Sequence, residues 1–554
     1  MIEIILRTEP RGEEINVSIE KGTTIETLVK DYQSELPYTI LAAKVNNKVQ
    51  ELNKTIDCPC EIVFLDMRDP SGNQIYQRSV SFLYLKAVYD VLGNVNVDIE
   101  NSLNKGLFTE IKAKKPLTKS IVARIEARMH ELVEADIPFE RKRLTRDEAF
   151  ELLCGEYHEE KIKMLEQAYK VESVPVYSCD GFMNFFYGLM TPSTGYIKHF
   201  ELRKYRNGVL LRFPTQTAPD QIPEYRDDKK LYFAFGEAKK WGELMGISYV
   251  GELNSKIERG EYKEIIQISE ALHEKKVAHI ADIIRKEKKR IILIAGPSSS
   301  GKTSFAKRLC IQLMVNGQRP LYLGTDDYFL EREQTPVLPS GEYNFEDIDA
   351  LDIELFNDNM NDLLEGKEVD LPIFDFIKGT KRFGQRITKV ENNQPIVIEG
   401  IHGLNEALTS KIPTEAKFKI YISPFTQLNI DNHNRIPTTD VRMLRRLVRD
   451  NKYRGSSAQY TIEQWPKVRA GEDKNIFPYN GEADVLFNSA LIYELAVIKK
   501  YAQPLLESIG QEEESYCEAV RMLKFLRFFK IIEDDSVIAN NSIIREFIGG
   551  SILV

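Results

Sequence analysis

From Ile2 to Leu6 apolar and polar residues alternate as in a β-strand, Arg11-Gly12 supplies a turn, and Glu14 to Ile19 alternates again. Thr23 or Thr24, followed by Glu26 and by apolar Leu28 and Val29, predicts a helix start. Ala42 to Val45 and Glu61 to Leu65 predict two further strands, with Asn46-Asn47 as the turn between them. Residues 1–65 therefore predict a small α+β unit. Beyond it, Ile121, Ile125, Met129, Leu132 and Val133 fall at helical spacing and Tyr196 to Phe213 is β-rich, so residues 66–255 predict a second mixed unit. Residues 256–289 predict a packed connector helix, with Ile265, Ile268, Leu272 and Ile280 on or near one face. From Arg290 the pattern changes to short apolar runs separated by helical stretches: RIILIA, LYLG, PIVIE, KFKIYI and DVLF. Continuous β-rich runs of this kind predict an α/β domain over 290–490, its parallel sheet covered by helices on both faces. Residues 491–554 predict helices and an apolar tail packed on the body.

Composition narrows the class. At 554 residues the chain exceeds one hydrophobic core, and 42% hydrophobic with 29% charged residues is the balance of a globular protein. A net charge of −9 excludes a chain-wide basic footprint for nucleic acid. The six cysteines, Cys58, Cys60, Cys154, Cys179, Cys310 and Cys517, are scattered, and the close pair Cys58-Pro59-Cys60 lacks zinc-knuckle spacing. With no leader pattern at the start and no run near the roughly 18 apolar residues of a membrane span, the expectation is a reduced, cytoplasmic, non-membrane protein.

The strongest chemical signal is Gly296, Pro297, Ser298, Ser299, Ser300, Gly301, Lys302, Thr303, a complete GxxxxGK[ST] between the RIILIA strand and the helix beginning at Ser304. The glycines let backbone amides turn inward around phosphate oxygens, the helix N-terminus adds its positive end, Lys302 reaches the β and γ phosphates, and the Thr303 hydroxyl suits Mg²⁺. Asp326, in Thr325-Asp326-Asp327-Tyr328 after the second strand of the domain, falls at the C-terminal sheet edge, where a carboxylate can take the proton of an attacking hydroxyl. Helix capping is the plain alternative for both aspartates. Glu399 ends the PIVIE strand, suited to the Mg²⁺ shell, whereas His402 reads as structural for want of an orienting partner. Arg442, Arg445, Arg446, Arg449 and Arg454 fall on a short predicted helix and its following turn, suited to a mobile lid that clamps phosphate.

With GPSSSGKT come LGTDDYF, YNFEDIDALD, LPIFDF, PIVIEGIHGL, TDVRMLRRLVRDNKYRG and EADVLFNS, and on these motifs residues 290–490 resemble the uridine kinase and phosphoribulokinase family of phosphate-loop kinases. The resemblance implies ATP and Mg²⁺ as cofactors, Asp326 as catalytic carboxylate, Glu399 as the magnesium-associated acid and Arg446, Arg449 and Arg454 as lid arginines. It also puts Tyr328, Glu346, Phe374, Arg446 and Gln464 on the acceptor side with Asp326. Glu346 stands where uridine–cytidine kinases carry a ribose-gripping aspartate, and Phe374 and Gly379 replace their base-reading tyrosine and histidine, so the pyrimidine contacts are missing.

The front half resembles the N-terminal region of threonyl-tRNA synthetase, a ubiquitin-like domain and then an editing domain, through AAKVNNKVQELNKTI, IVARIEARMHELVEADIPFERKRLTRDEAFELL, VYSCDGF and YIKHFELRKYRNGVLLRFP. Where the editing enzymes carry a histidine pair and Cys-x-x-x-His, the aligned positions are Arg78, Phe82, Cys179 and Met183, so deacylation is not expected. The expected activity is transfer of the ATP γ-phosphate to a nucleoside-like acceptor. A sugar-phosphate kinase and a nucleotide-switched regulator are the alternatives. Expected partners are ATP, the small acceptor, tRNA or protein through the front half, and a second copy of the chain in a homo-oligomer.

Overall fold

A computed structural model of the chain describes residues 1–155, 161, 173–337, 341, 343–426 and 428–554. Alternation in β1 (Ile2–Arg7) turns Ile4 and Leu6 inward. β1 pairs antiparallel with β2 (Ile15–Ile19), and α1 (Ile25–Tyr32) buries Ile25, Leu28 and Val29 in the same small core. The Thr24 hydroxyl caps that helix, accepting from the Thr27 amide at 3.2 Å. β3 (Ala42–Val45), β4 (Lys48–Gln50) and β5 (Glu61–Leu65) complete a sheet of order β2-β1-β5-β3-β4, with β1 and β5 parallel as in a ubiquitin-like grasp. One expectation changes here. Asn46 and Asn47, at φ of 45° and 58°, close a β3–β4 hairpin and do not lead directly to β5. Asparagine tolerates this left-handed backbone, and three-residue β4 is too short to announce itself by alternation.

The second unit is built on α2 (Pro70–Leu92), whose first amides are capped by Asp69. β6 (Asn96–Leu103) and β7 (Gly106–Lys112) precede α3 (Lys119–Glu134), which buries Val122, Ile125, Met129 and Leu132. β8 (Glu140–Thr145), β9 (Ser173–Cys179) and β10 (Phe182–Phe185) form one antiparallel sheet; β11 (Glu201–Tyr205) and β12 (Gly208–Arg212) join β7 and β6 in another, order β11-β12-β7-β6. Helices α2 and α3 share one core with inward residues of these sheets.

The predicted connector is two helices. α4 (Val250–Glu258) ends before Gly260, whose φ of +75° breaks the helical path, and α5 (Tyr262–Lys286) restarts two residues later. α5 buries Ile265, Val277, Ile280 and Ile284.

The third unit carries β13 (Ile291–Ala295), α6 (Lys302–Val315), β14 (Leu321–Gly324), α7 (Ile353–Leu364), β15 (Ile396–Glu399) and β16 (Lys417–Ser423). After it come α8 (Thr438–Arg454), α9 (Ala458–Asn475), β17 (Val485–Asn488), α10 (Glu494–Glu507), α11 (Tyr516–Leu526) and a last helical turn, Arg545–Ile548. The sheet is parallel, order β14-β15-β13-β16-β17. β13 and β16 are buried along their whole length: α5 and α6 cover one face of both, α7 and its neighbours cover the other face of β13, and Ala234, Leu404 and Phe425 pack with Tyr421 on that of β16. The apolar tail packs as predicted: Ile543 and Phe547 lie against Phe305 and Phe487. Among the described residues no helix is long and apolar enough to cross a membrane.

Candidate active site

The phosphate loop leaves the C-terminal end of central strand β13. Gly296 is a steric requirement: a Cβ there would lie 2.0 Å from the Ile422 carbonyl oxygen of β16. Gly301, at φ +85°, turns the chain into α6, and a Cβ would meet Ile543 at 2.5 Å. Ser299 and Ser300 are buried, Ser299 in the left-handed region at φ 59°. The Lys302 ammonium folds back on the loop, donating to the carbonyls of Gly296 at 3.0 Å and Pro297 at 3.2 Å.

Around Lys302 stand the acids. The Thr303 hydroxyl donates to Glu399 Oε1 at 2.9 Å, and Tyr322 OH donates to the other Glu399 oxygen at 2.6 Å. The close fit of strand and turn depends on Gly400, where a Cβ would overlap the Thr325 hydroxyl. Asp326 is the second residue of the turn Thr325–Tyr328 after β14 and is exposed. Partial desolvation, then the charge of Glu399, raise its pKa above the ordinary aspartate value, while Lys302 pulls the other way. Thr303, Glu399 and Asp326 thus present hard oxygen donors with excess negative charge, the donor set a Mg²⁺ ion requires. Glu346 belongs to the same field: desolvation and then Glu472 raise its pKa, while Lys302 and Arg446 lower it.

The arginines divide into two sets, and the helix that carries them is longer than expected. α8 is a continuous helix of 17 residues. Arg442 is buried against Glu472 and donates to the Ser298 carbonyl at 2.9 Å; Arg445 is buried against Glu494 at 2.6 Å and donates to Ser489 O at 2.8 Å. Both brace the loop from behind, because a buried guanidinium needs a paired carboxylate. Arg446 reaches the loop itself, donating to the Ser298 hydroxyl at 2.8 Å. Arg446, Arg449 and Arg454 all gather on the single buried carboxylate of Asp450, at 3.2, 2.9 and 3.5 Å, leaving surplus positive charge beside the loop.

Two predicted acceptor-side residues lie elsewhere than in an open site. Tyr328 is 1% exposed, bonded to Asn359 and edge-on to Phe356, because its ring completes the core beneath the turn. Its hydroxyl is unavailable to an acceptor. Phe374 is buried among Phe329 and Phe376, an aromatic wall. Gln464 is half-buried on α9, about two turns before Glu472. His402 is sealed, and burial pulls its pKa to about 4, so it is neutral at pH 7.

Two carboxylates were not legible in the sequence as parts of this site. Glu472 Oε1 accepts the Ser298 amide at 2.9 Å. Glu546 accepts the Ser304 hydroxyl at 2.7 Å and its amide at 3.3 Å. Both lie more than 150 residues from their partners, and the only local hint was the apolar setting of Glu546 in IIREFI.

The front half shows the converse. Phe82 is fully buried, with Phe139, Phe182 and Phe186 within 6 Å between ring centroids. Cys179 is buried beside them, and burial pushes its thiol up to about 11. Of the four positions that the resemblance sets against a hydrolytic cluster, Phe82 and Cys179 are packed with hydrocarbon, while Arg78 keeps a half-buried guanidinium.

Residues 291–492 match the model of the Phosphoribulokinase / Uridine kinase family. The front half is similar to threonine--tRNA ligases: 30% identity over 187 residues to that of Marinobacter nauticus, 34% of this chain and 29% of the relative, and 27% over 248 residues to that of Clostridium kluyveri, 43% of this chain and 38% of the relative. The chain thus spans well under half the length of these curated relatives. A solved chain described as a "Possible Uridine Kinase", from Bacillus stearothermophilus, is 20% identical and covers 37% of this chain and 96% of its own, at a TM-score of 0.22. The protein therefore joins a front half similar to threonine--tRNA ligases to a kinase domain that matches the Phosphoribulokinase / Uridine kinase family.

Proposed function

We propose that the chain transfers the γ-phosphoryl group of ATP to a hydroxyl of a nucleoside-like acceptor, with Mg²⁺. The observation that carries this reading is the convergence of Lys302, Thr303, Glu399 and Asp326 at the C-terminal edge of a parallel sheet, with the surplus arginine charge of α8 beside them. Asp326 accepts the proton of the acceptor hydroxyl as its oxygen bonds to the γ-phosphorus and the bond to the ADP oxygen breaks. Lys302, released from the loop carbonyls, neutralises the β and γ oxygens, and Arg446 and Arg449 neutralise charge that spreads over the transferring group. Thr303 and Glu399 would hold Mg²⁺, which supplies charge neutralisation between the β and γ phosphates. Glu346 faces the acceptor side, and exposed Phe376, backed by buried Phe374, offers apolar contact with no base-reading hydrogen bond. Incubation of the full chain with labelled ATP and a panel of nucleosides, sugars and sugar phosphates tests the reading. A labelled nucleoside phosphate is the expected product; transfer to sugar phosphates alone would reassign the acceptor, and transfer to none would remove the kinase.

One observation favours a second reading in which nucleotide rearranges the chain. Glu472 and Glu546 hold the amides of Ser298 and Ser304, groups that phosphate oxygens would claim. If binding displaces the final turn, proteolytic cleavage near residue 546 accelerates with ATP; an unchanged rate removes this reading.

A further inference from the structure

A cleft away from the phosphate loop lies where all three units meet. Its larger cavity is walled by the β3–β4 hairpin at Lys48 and Val49, by α2 at Ile75 and Arg78, and by α11 at Val520 and Lys524. A second cavity shares Arg78, Tyr187 and Arg521 with the first and adds Arg435. They measure about 700 and 530 Å³ with the open solvent at their mouths included.

The charge is one-sided. Neither cavity has an aspartate or glutamate in its lining, in a chain of net charge −9. Arg521 is paired with Asp440 at 2.7 Å and Glu518 at 2.6 Å, and Arg141 with Glu51 at 3.4 Å. Among the described residues, however, no carboxylate lies within 4.0 Å of the charged groups of Lys48, Arg78, Arg435 or Lys524. Arg78 is set in place: its guanidinium donates to the Leu189 carbonyl, lies 5.8 Å over the Tyr187 ring and passes Gly188, where a Cβ would fall 2.1 Å from its central carbon. Desolvation lowers the pKa of Lys524, as do its like-charged neighbours Lys48, Arg141, Arg143 and Arg527. Half-buried Arg78 and Arg435, neither with a carboxylate in contact, next to an apolar shelf of Val49, Ile75 and Val520, suit an anion that carries a hydrocarbon or ring body.

We propose that this interdomain cleft binds a small organic phosphate of nucleotide size. The phosphate is held from the Arg78 wall common to both cavities, with Lys524 and Arg435 on either side, and the body lies on the apolar shelf. Planar guanidinium forks match phosphate oxygens two at a time, and several cations without a contacting carboxylate suit the near-double charge of a phosphate monoester better than the single charge of a carboxylate. The acidic chain as a whole disfavours an extended nucleic acid.

Calorimetric titration of the full chain with UMP, under saturating ADP to occupy the kinase loop, tests the site, with inorganic phosphate and a short single-stranded RNA in parallel. The expected result is a UMP-binding event that weakens at least about tenfold in Lys524→Gln and in Arg435→Gln, with ADP affinity unchanged, and phosphate binding at least about tenfold weaker than UMP. Lys524 is exposed, so its substitution leaves the fold intact even if Arg435→Gln does not. Absence of any variant-sensitive UMP event overturns the proposal. Phosphate as tight as UMP, or variant-sensitive binding of RNA alone, overturns the assignment to a small organic ligand. No turnover is needed for the measurement, so its outcome is separable from that of the kinase reading.

Discussion

The two ends of this chain fill the positions that their resemblances single out in opposite ways. In the C-terminal domain, ionisable groups converge on an open cleft: Asp326 beside Glu399, Lys302 over its loop, and three arginines on one aspartate. In the front half two of the corresponding positions, Phe82 and Cys179, are buried in a ring of aromatics, and a third is Arg78, whose guanidinium is bonded to the Leu189 carbonyl. A backbone scaffold can be kept while its chemistry is exchanged for packing, because a filled aromatic core stabilises the fold as well as a polar cluster does.

The largest expected effect tests the packing side. Phe82→Ala should lower the stability of the front half by about 3–5 kcal/mol in denaturant unfolding, the range for deleting a buried phenyl ring. A loss below about 1 kcal/mol would mean that the former site is a soft pocket. On the other side, Asp326→Asn should reduce turnover by at least about 100-fold, about 2.7 kcal/mol, with ATP binding nearly unchanged in a filter or calorimetric assay. Full turnover in that variant would take the base role away from Asp326.

How far these differences were legible in the sequence depended on range. GPSSSGKT, its flanking strand and helix, and the acid after each neighbouring strand are local patterns, and they predict the positions of Lys302, Thr303, Asp326 and Glu399 relative to the sheet. The Asn46-Asn47 turn was visible but its hairpin partner was not, since β4 has only three residues. Arg442 and Arg445 looked interchangeable with Arg446 and Arg449. Which of them is buried depends on Glu472 and Glu494, 30 and 49 residues away, and helical periodicity carries no information about such partners. The resemblance puts Tyr328 on the acceptor side, yet the packing of Phe356 against it decides its place.

A moderate effect concerns pH. The raised pKa of Asp326 means that it holds its proton to a higher pH than an ordinary aspartate, and only the deprotonated form can act as base. The rate therefore falls as pH drops through that raised value, and the acid limb of kcat/KM should lie above the ordinary aspartate range. An acid limb at the ordinary value would show that the neighbouring charges are balanced in the working enzyme. The smallest effect is chemical. Iodoacetamide at neutral pH should alkylate exposed Cys58 and leave buried Cys179, whose thiol is pushed up to about 11. Rapid labelling of Cys179 would mean that the aromatic packing opens.

The contrast between the two ends is tested most directly by assaying the intact chain for both chemistries in one preparation: transfer of label from ATP to a nucleoside panel, and hydrolysis of aminoacyl-tRNA. The account predicts a labelled nucleoside phosphate and no deacylation above the buffer rate. Deacylation by the wild-type chain, or its failure to phosphorylate any acceptor, would contradict it.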